Sequence, residues 1–264
     1  MNEFGIDSLQ LAGDRPMTQA MVNAIAYAIQ KNGVSSKGPE AIGSSSYYNQ
    51  TFTTYNYFEQ NVQIMHQNNK PIGAYFFSYA WDYNSAYYEA TLECDALRVL
   101  TYQPDWPVFI DWETASRNAV AAHGYAITSQ RLQDIVHGWA QGCRDKGYVP
   151  GFYMGAAIAR DDLGSSAVQS LRAEGIYFWE AHYTSAPQPW VVPYDIWQYD
   201  DNVSWIDGTI VDYNKIGDDR MWNIGPVPPT PPTPPVPAST IPIWLQLYMK
   251  QRGDNSNGKH TILL

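Results

Sequence analysis

At 264 residues, the chain is long enough for one large domain plus a small appendage. A net charge of -10 argues against a nucleic-acid binder that works by neutralising phosphates. Two cysteines, Cys94 and Cys143, are too few for a disulfide scaffold or a four-thiolate metal site, and no apolar run approaches the ~20 residues that span a bilayer.

Met1 to Gln10 has neither a basic start nor a long apolar stretch, so no secretory signal peptide is expected. Within it, Phe4–Asp7 (FGID) is the first of several short β-prone runs that end in polar or charged residues. Ala24–Gln30 is a further strand candidate. It equally continues a helix from Met17, because Met17, Met21, Ala24, Ile25 and Ala28 fit a helical stripe. Helical spacing then covers Phe58–Asn69, Ser85–Leu100 and Ser129–Lys146, with Gly147 and Pro150 as a stop signal. Strand-like runs cover Ile72–Phe77, Val108–Glu113, Gly151–Met154, Tyr177–Tyr183, Asp195–Tyr199 and Thr209–Asp212. Pro226 to Pro237 reads PVPPTPPTPPVP, a spacer that extends as polyproline II. The expected organisation is therefore a main domain at 1–225, a linker at 226–238 and a short segment at 239–264. That last segment is too small to build a core unaided and reads as a docking strand or helix, the stump of a longer module, or an oligomerisation or target-attachment element.

Eight strands, with helices between the earlier ones and short links between the later ones, predict an α/β fold, an irregular (β/α) TIM-like barrel. In a barrel of parallel strands, the polar residues at the C-terminal strand ends meet at one mouth, so Asp7, Asp111, Glu113 and Asp212 become neighbours. Asp111 and Glu113 lie two apart on an expected strand, which sends both side chains to one face and Trp112 to the other. Two acids on one face repel and lose hydration, so one keeps its proton to higher pH, as a general acid must. Each acid taken alone is more commonly a salt-bridged or turn residue. Clustered acids also suit Mg²⁺ or Ca²⁺, but apart from Lys31 no basic residue ends a strand to handle a phosphate substrate, and no metal or other cofactor is expected. Tyr75, Tyr153, Trp179, Trp197, Gln198 and Tyr199 complete the candidate rim, offering rings for sugar faces and polar groups for sugar edges.

Seven motifs occur in order: GID at Gly5–Asp7, GAYFF at Gly73–Phe77, PVFIDWE at Pro107–Glu113, GYVPGFYMG at Gly147–Gly155, FWEAHY at Phe178–Tyr183, DIWQY at Asp195–Tyr199 and IVDYN at Ile210–Asn214. This pattern resembles the glycoside hydrolase family 25 lysozymes (N-acetylmuramidases), common among phage endolysins and bacterial autolysins. The resemblance implies a barrel of eight strands with fewer than eight helices, with Glu113 as proton donor and Asp111, Asp7 and Asp212 as the other site acids. It implies hydrolysis of the β-1,4 bond between N-acetylmuramic acid and N-acetylglucosamine in peptidoglycan. A chitinase-like hydrolase and a non-catalytic glycan-binding module are the alternatives. With no signal peptide expected, the implied setting is synthesis in a host cytoplasm and action on the cell wall after lysis, or as part of a virion. The chain departs from the family after GID, where it reads Ser8-Leu9-Gln10-Leu11, and at Trp112, where a smaller aliphatic residue is usual.

Overall fold

Runs of β-branched and aromatic residues bounded by turn residues pair laterally because their backbone groups need partners once the side chains are buried. In the computed structural model, which describes residues 4–8, 11, 15–35, 52–54, 57–183, 193–224 and 260–261, these runs form ten strands. They are β1 (Phe4–Asp7), β2 (Tyr27–Ser35), β3 (Phe52–Thr54), β4 (Ile72–Phe77), β5 (Val108–Asp111), β6 (Pro150–Gly155), β7 (Tyr177–Ala181), β8 (Ile196–Ser204), β9 (Ile210–Ile216) and β10 (His260–Thr261). Eight of them close into a barrel in the order β1-β2-β4-β5-β6-β7-β8-β9, because β1 pairs with both β2 and β9. Closure leaves no open edge among these eight. β3 and β10 extend from the far end of β2.

Pairing is parallel from β1 round to β8. β9 corrects the all-parallel expectation, since it runs antiparallel to both β8 and β1. The cause is local. A tight turn at Ile206–Gly208, with Asp207 at φ 57° and Gly208 at φ 71°, reverses the chain where a crossover helix would otherwise stand. β9 therefore starts at the mouth and descends, so Asp212 reaches the mouth from the beginning of its strand.

Seven helices stand among the described residues: α1 (Gln19–Ala24), α2 (Phe58–Gln67), α3 (Tyr83–Arg98), α4 (Thr114–Ala122), α5 (Ser129–Asp145), α6 (Ala156–Ile158) and α7 (Ser165–Ala173). The fold is thus the expected TIM-like barrel with fewer helices than strands. The ambiguous stretch after Met17 divides into α1, ending at Ala24, and β2, beginning at Tyr27. Helices α4 and α7 were not anticipated. They bury only Ser116, Ala119 and Val120, and Val168, Leu171 and Arg172, too narrow a stripe to stand out in the sequence. No helix among the described residues is long and apolar enough to cross a membrane. The linker at 226–238, and the segment 239–264 apart from β10, lie outside the described residues.

Alternation along the strands sorts the apolar side chains into two layers. Ala28, Phe76, Ile110, Phe152 and Phe178 face outward into the layer shared with the helices. Tyr27, Tyr75, Phe109, Tyr153, Trp179 and Ile196 face inward and fill the barrel. Trp179 sits among the inward rings, 4.6 Å from Tyr153, 5.5 Å from Phe109 and 5.8 Å from Tyr75, between ring centroids. Large rings fit only where a neighbouring strand offers no side chain. A Cβ on Gly5 would lie 2.3 Å from the Tyr27 ring, and one on Gly151 would lie 2.3 Å from the Phe109 ring. The aromatic plug closes the barrel interior beneath the mouth and makes the floor of the site.

Candidate active site

The mouth of the barrel opens into a cleft lined by Asp7, Tyr75, Asp111, Glu113, Tyr153, Trp179, Tyr183, Gln198, Asp201, Asn202 and Asp212. All four acids singled out in the sequence lie here, as do Tyr75, Tyr153, Trp179 and Gln198. Trp197 and Tyr199 do not line the cleft. They flank Gln198 on β8, so the period of two that points Gln198 inward points both of them outward. The Trp197 indole is buried on that outer side and donates to the His182 carbonyl at 2.8 Å.

Asp7 and Asp212 are register partners on the adjacent strands β1 and β9, so their side chains leave the sheet side by side. Asp7 is 3% exposed and accepts from Gln198 Nε2 at 2.8 Å and Asn214 Nδ2 at 2.7 Å. Both amides are held in turn. Gln198 Oε1 accepts from Tyr153 and Tyr183 hydroxyls, each at 2.9 Å, and Asn214 Oδ1 accepts the Trp179 indole N–H at 2.8 Å. Burial, then the charge of Asp212, raise the Asp7 carboxyl well above the usual carboxylate range, against the pull of the two amide donors. Asp212 is raised as well, chiefly by burial, while the Asn202 N–H donating to it at 2.7 Å works the other way.

Asp111 closes β5. Glu113 lies just beyond the strand rather than on it, as the residue that caps the start of α4. Its backbone is still extended (φ -126°, ψ -168°), which lets the side chain reach the cleft that Asp111 lines. Between them Trp112 turns away into the outer core, fully buried, and its indole donates to the Ala80 carbonyl at 3.1 Å. Asp111 is 5% exposed, and its Oδ1 has no hydrogen-bond partner among the described residues. A buried acceptor left open in a polar cleft is costly unless a ligand donor meets it. Burial, and next the neighbouring Glu113, raise Asp111 well above the usual range, opposed by Lys31. Glu113 is raised by burial and by Asp212, again against Lys31.

Lys31, on β2, carries its ammonium 4.6 Å from the Phe77 ring centroid and 5.7 Å from that of Tyr75. Burial lowers its pKa, and Asp111 and Glu113 oppose that shift. The arrangement is two acid pairs, all four carboxyls raised, with the buried Lys31 ammonium acting on Asp111 and Glu113. Raised carboxyls beside a buried acceptor for substrate are what general-acid chemistry requires.

The model of the family Glycosyl hydrolases family 25 matches residues 21–208. The chain belongs to glycosyl hydrolase family 25. Its activity class is accordingly glycoside hydrolysis. The matched span takes in Asp111 and Glu113 but leaves Asp7 and Asp212 outside it. Those two join the site because β1 and β9 complete the barrel. Among solved structures, the bacterial lysozyme of Streptomyces coelicolor shares 18% identity over 85% of this chain and 97% of its own, with a TM-score of 0.59. The CTP1L endolysin shares 18% over 85% of this chain and 69% of its own, with a TM-score of 0.58. The modular autolysin LytC of Streptococcus pneumoniae, solved with a synthetic peptidoglycan ligand, shares 17% over 80% of this chain, with a TM-score of 0.57. The family 25 chain spans 46% of that autolysin. At these identities the likeness is one of fold. No curated protein matches the chain.

The sequence patterns do not single out Tyr183, Asp201, Asn202, Asn214 or Lys31 as site residues. Asn214 was within reach, because it follows Asp212 by two on one strand and so shares its face. Lys31 also carried a signal, as a lone cation closing an apolar run. Asp201 and Asn202 arrive through the β8–β9 hairpin, whose geometry no local pattern announces.

Proposed function

We propose that this family 25 protein hydrolyses the β-1,4 bond between N-acetylmuramic acid and N-acetylglucosamine in bacterial peptidoglycan, with Glu113 as proton donor. One observation carries the reading: a buried Asp111 Oδ1, without a hydrogen-bond partner among the described residues, beside a raised Glu113 in a cleft that also holds Asp7, Asp212 and aromatic and amide side chains. In this mechanism the acetamido N–H of the sugar donates to Asp111, which aims the acetamido oxygen at the anomeric carbon. That oxygen forms the new bond as the glycosidic bond breaks, and Glu113 delivers its proton to the departing oxygen. Water then opens the cyclic intermediate, with the ionised Glu113 taking the water's proton and so recovering its starting state. Asp7 and Asp212, braced by Gln198 and Asn214, position the sugar ring. Tyr183, half exposed at the rim, offers a face for a neighbouring sugar.

The setting that fits is phage-mediated lysis of a bacterium, with 239–264 serving wall attachment or oligomerisation. Digestion of purified cell walls, reduction of the new chain ends and mass spectrometry of the fragments tests the bond cleaved. Reduced muramic acid ends are expected, whereas cleavage of chitin oligomers with walls left intact would remove the muramidase reading. Glu113→Gln should lower turnover by about 10²–10⁴-fold. Near-normal turnover by a folded variant would remove Glu113 from its role.

A further inference from the structure

Glu89 lies on the inner side of α3, 2% exposed, and the proposed reaction gives it no part. Its carboxyl grips the turn after β4. Ser78 Oγ donates to Oε2 at 2.5 Å, and the Tyr79 N–H donates to Oε1 at 3.2 Å. The Ser78 hydroxyl also accepts the Ala80 N–H at 3.0 Å, so it closes the turn on itself while bonding to Glu89. That turn is in turn bolted to the segment bearing the acid pair. The Ser78 N–H donates to the Asp111 carbonyl at 2.9 Å, and the Ala80 carbonyl accepts the Trp112 indole at 3.1 Å. The Ser78 carbonyl accepts from Ser116 Oγ at 2.6 Å, and Ser116 Oγ accepts the Glu113 N–H at 3.0 Å. Three successive residues, Asp111, Trp112 and Glu113, are thus tied to one turn whose shape Glu89 sets. Ser78 and Ser116 are both fully buried, so water does not compete for these bonds.

We propose that Glu89 is a positioning residue for the acid pair, acting through Ser78 and Ser116 to hold the Glu113 carboxyl where it can reach the departing oxygen. The proposal rests on Glu113 being the proton donor. Burial raises the Glu89 pKa to about 8, which agrees with a carboxyl enclosed by the fold and spent on internal bonds. A displacement of about 1 Å at a reacting group costs about 10²-fold in rate, which sets the scale of the effect.

The test uses the full chain, with initial rates of wall hydrolysis over a range of wall concentrations and circular dichroism to confirm folding. Glu89→Ala should lower kcat by about 10²-fold with KM nearly unchanged. Glu89→Gln retains an acceptor for Tyr79 and a polar partner for Ser78, and should recover kcat to within about threefold of the parent. Ser116→Ala should reproduce the loss, and the Glu89→Ala/Ser116→Ala double variant should lose no more than the worse single one, because both act along one chain of bonds. A folded Glu89→Ala with the parent's kcat overturns the proposal. So do losses that multiply in the double variant, or a Ser116→Ala at the parent's kcat, and this last variant decides the matter should Glu89→Ala fail to fold. If Glu113→Gln leaves wall hydrolysis unchanged, the proton-donor reading fails. If Glu113→Gln abolishes it and Glu89→Ala does not change it, only the positioning role fails.

Discussion

Asp195 ends the link into β8, at the face of the barrel opposite the acid cleft, and its side chain is wholly buried. It accepts from Arg172 Nη2 at 2.6 Å, from Arg172 Nε at 3.1 Å and from the Phe178 N–H at 2.6 Å, and it also pairs with the Arg220 guanidinium. One carboxylate therefore ties α7, the start of β7 and the turn after β9 together. Asp195→Asn keeps the shape and removes the charge, leaving two guanidinium groups facing a neutral amide. Breaking a buried ion pair costs about 3–5 kcal/mol. Arg172 keeps Asp218 at 2.7 Å, and Arg220, 27% exposed, can rehydrate, so the lower end applies. At about 2–4 °C per kcal/mol for a domain of this size, about 3 kcal/mol lowers Tm by about 6–12 °C. Thermal unfolding followed by circular dichroism reads this, with kcat measured well below the transition. Because the cluster sits away from the cleft, kcat should not change. A Tm within about 2 °C of the parent would refute the reasoning, since the buried charge would then be dispensable.

Two further outcomes concern the cleft itself. Burial holds Glu113 above the ordinary carboxylate range, and Lys31 works against that shift. A general acid functions while protonated, so activity is present below the raised pKa and lost as pH rises through it. Lys31→Met removes the opposing ammonium and should move the alkaline limb of the kcat/KM profile to higher pH; a limb that stays or moves down counts against the assignment. Asn214→Leu takes away one amide donor to Asp7 at 2.7 Å and the acceptor for the Trp179 indole. A hydrogen bond to a charged group is worth about 1.5–3 kcal/mol, so kcat/KM should fall by about tenfold to a hundredfold, and a folded variant within about twofold of the parent would show that Asp7 needs no such bracing.

Much of the site was legible because its logic is local. The period of two along β5 pairs Asp111 with Glu113 and sends Trp112 the other way, and the extended backbone at Glu113 preserves that relation even though the strand stops at Asp111. The same period separates Gln198 from Trp197 and Tyr199, so only one of those three could line the cleft. Polarity and aromaticity alone suggest all of them. Helices α4 and α7 escaped notice because short helices with small side chains leave little periodic signal.

The amino-acid order by itself determined the strand runs, the barrel they imply and the acids that end them, because burial of alternating side chains is written in nearest-neighbour spacing. Only the folded chain decided that β9 descends from the mouth, which sets Asp212 directly beside Asp7 and brings Asn214 onto the same carboxylate. Only the folded chain brought Lys31 within electrostatic reach of the acid pair and linked Glu89 to Glu113 through two serines. Those relations depend on which strands and turns become neighbours in space, and that is settled by the closure of the barrel as a whole.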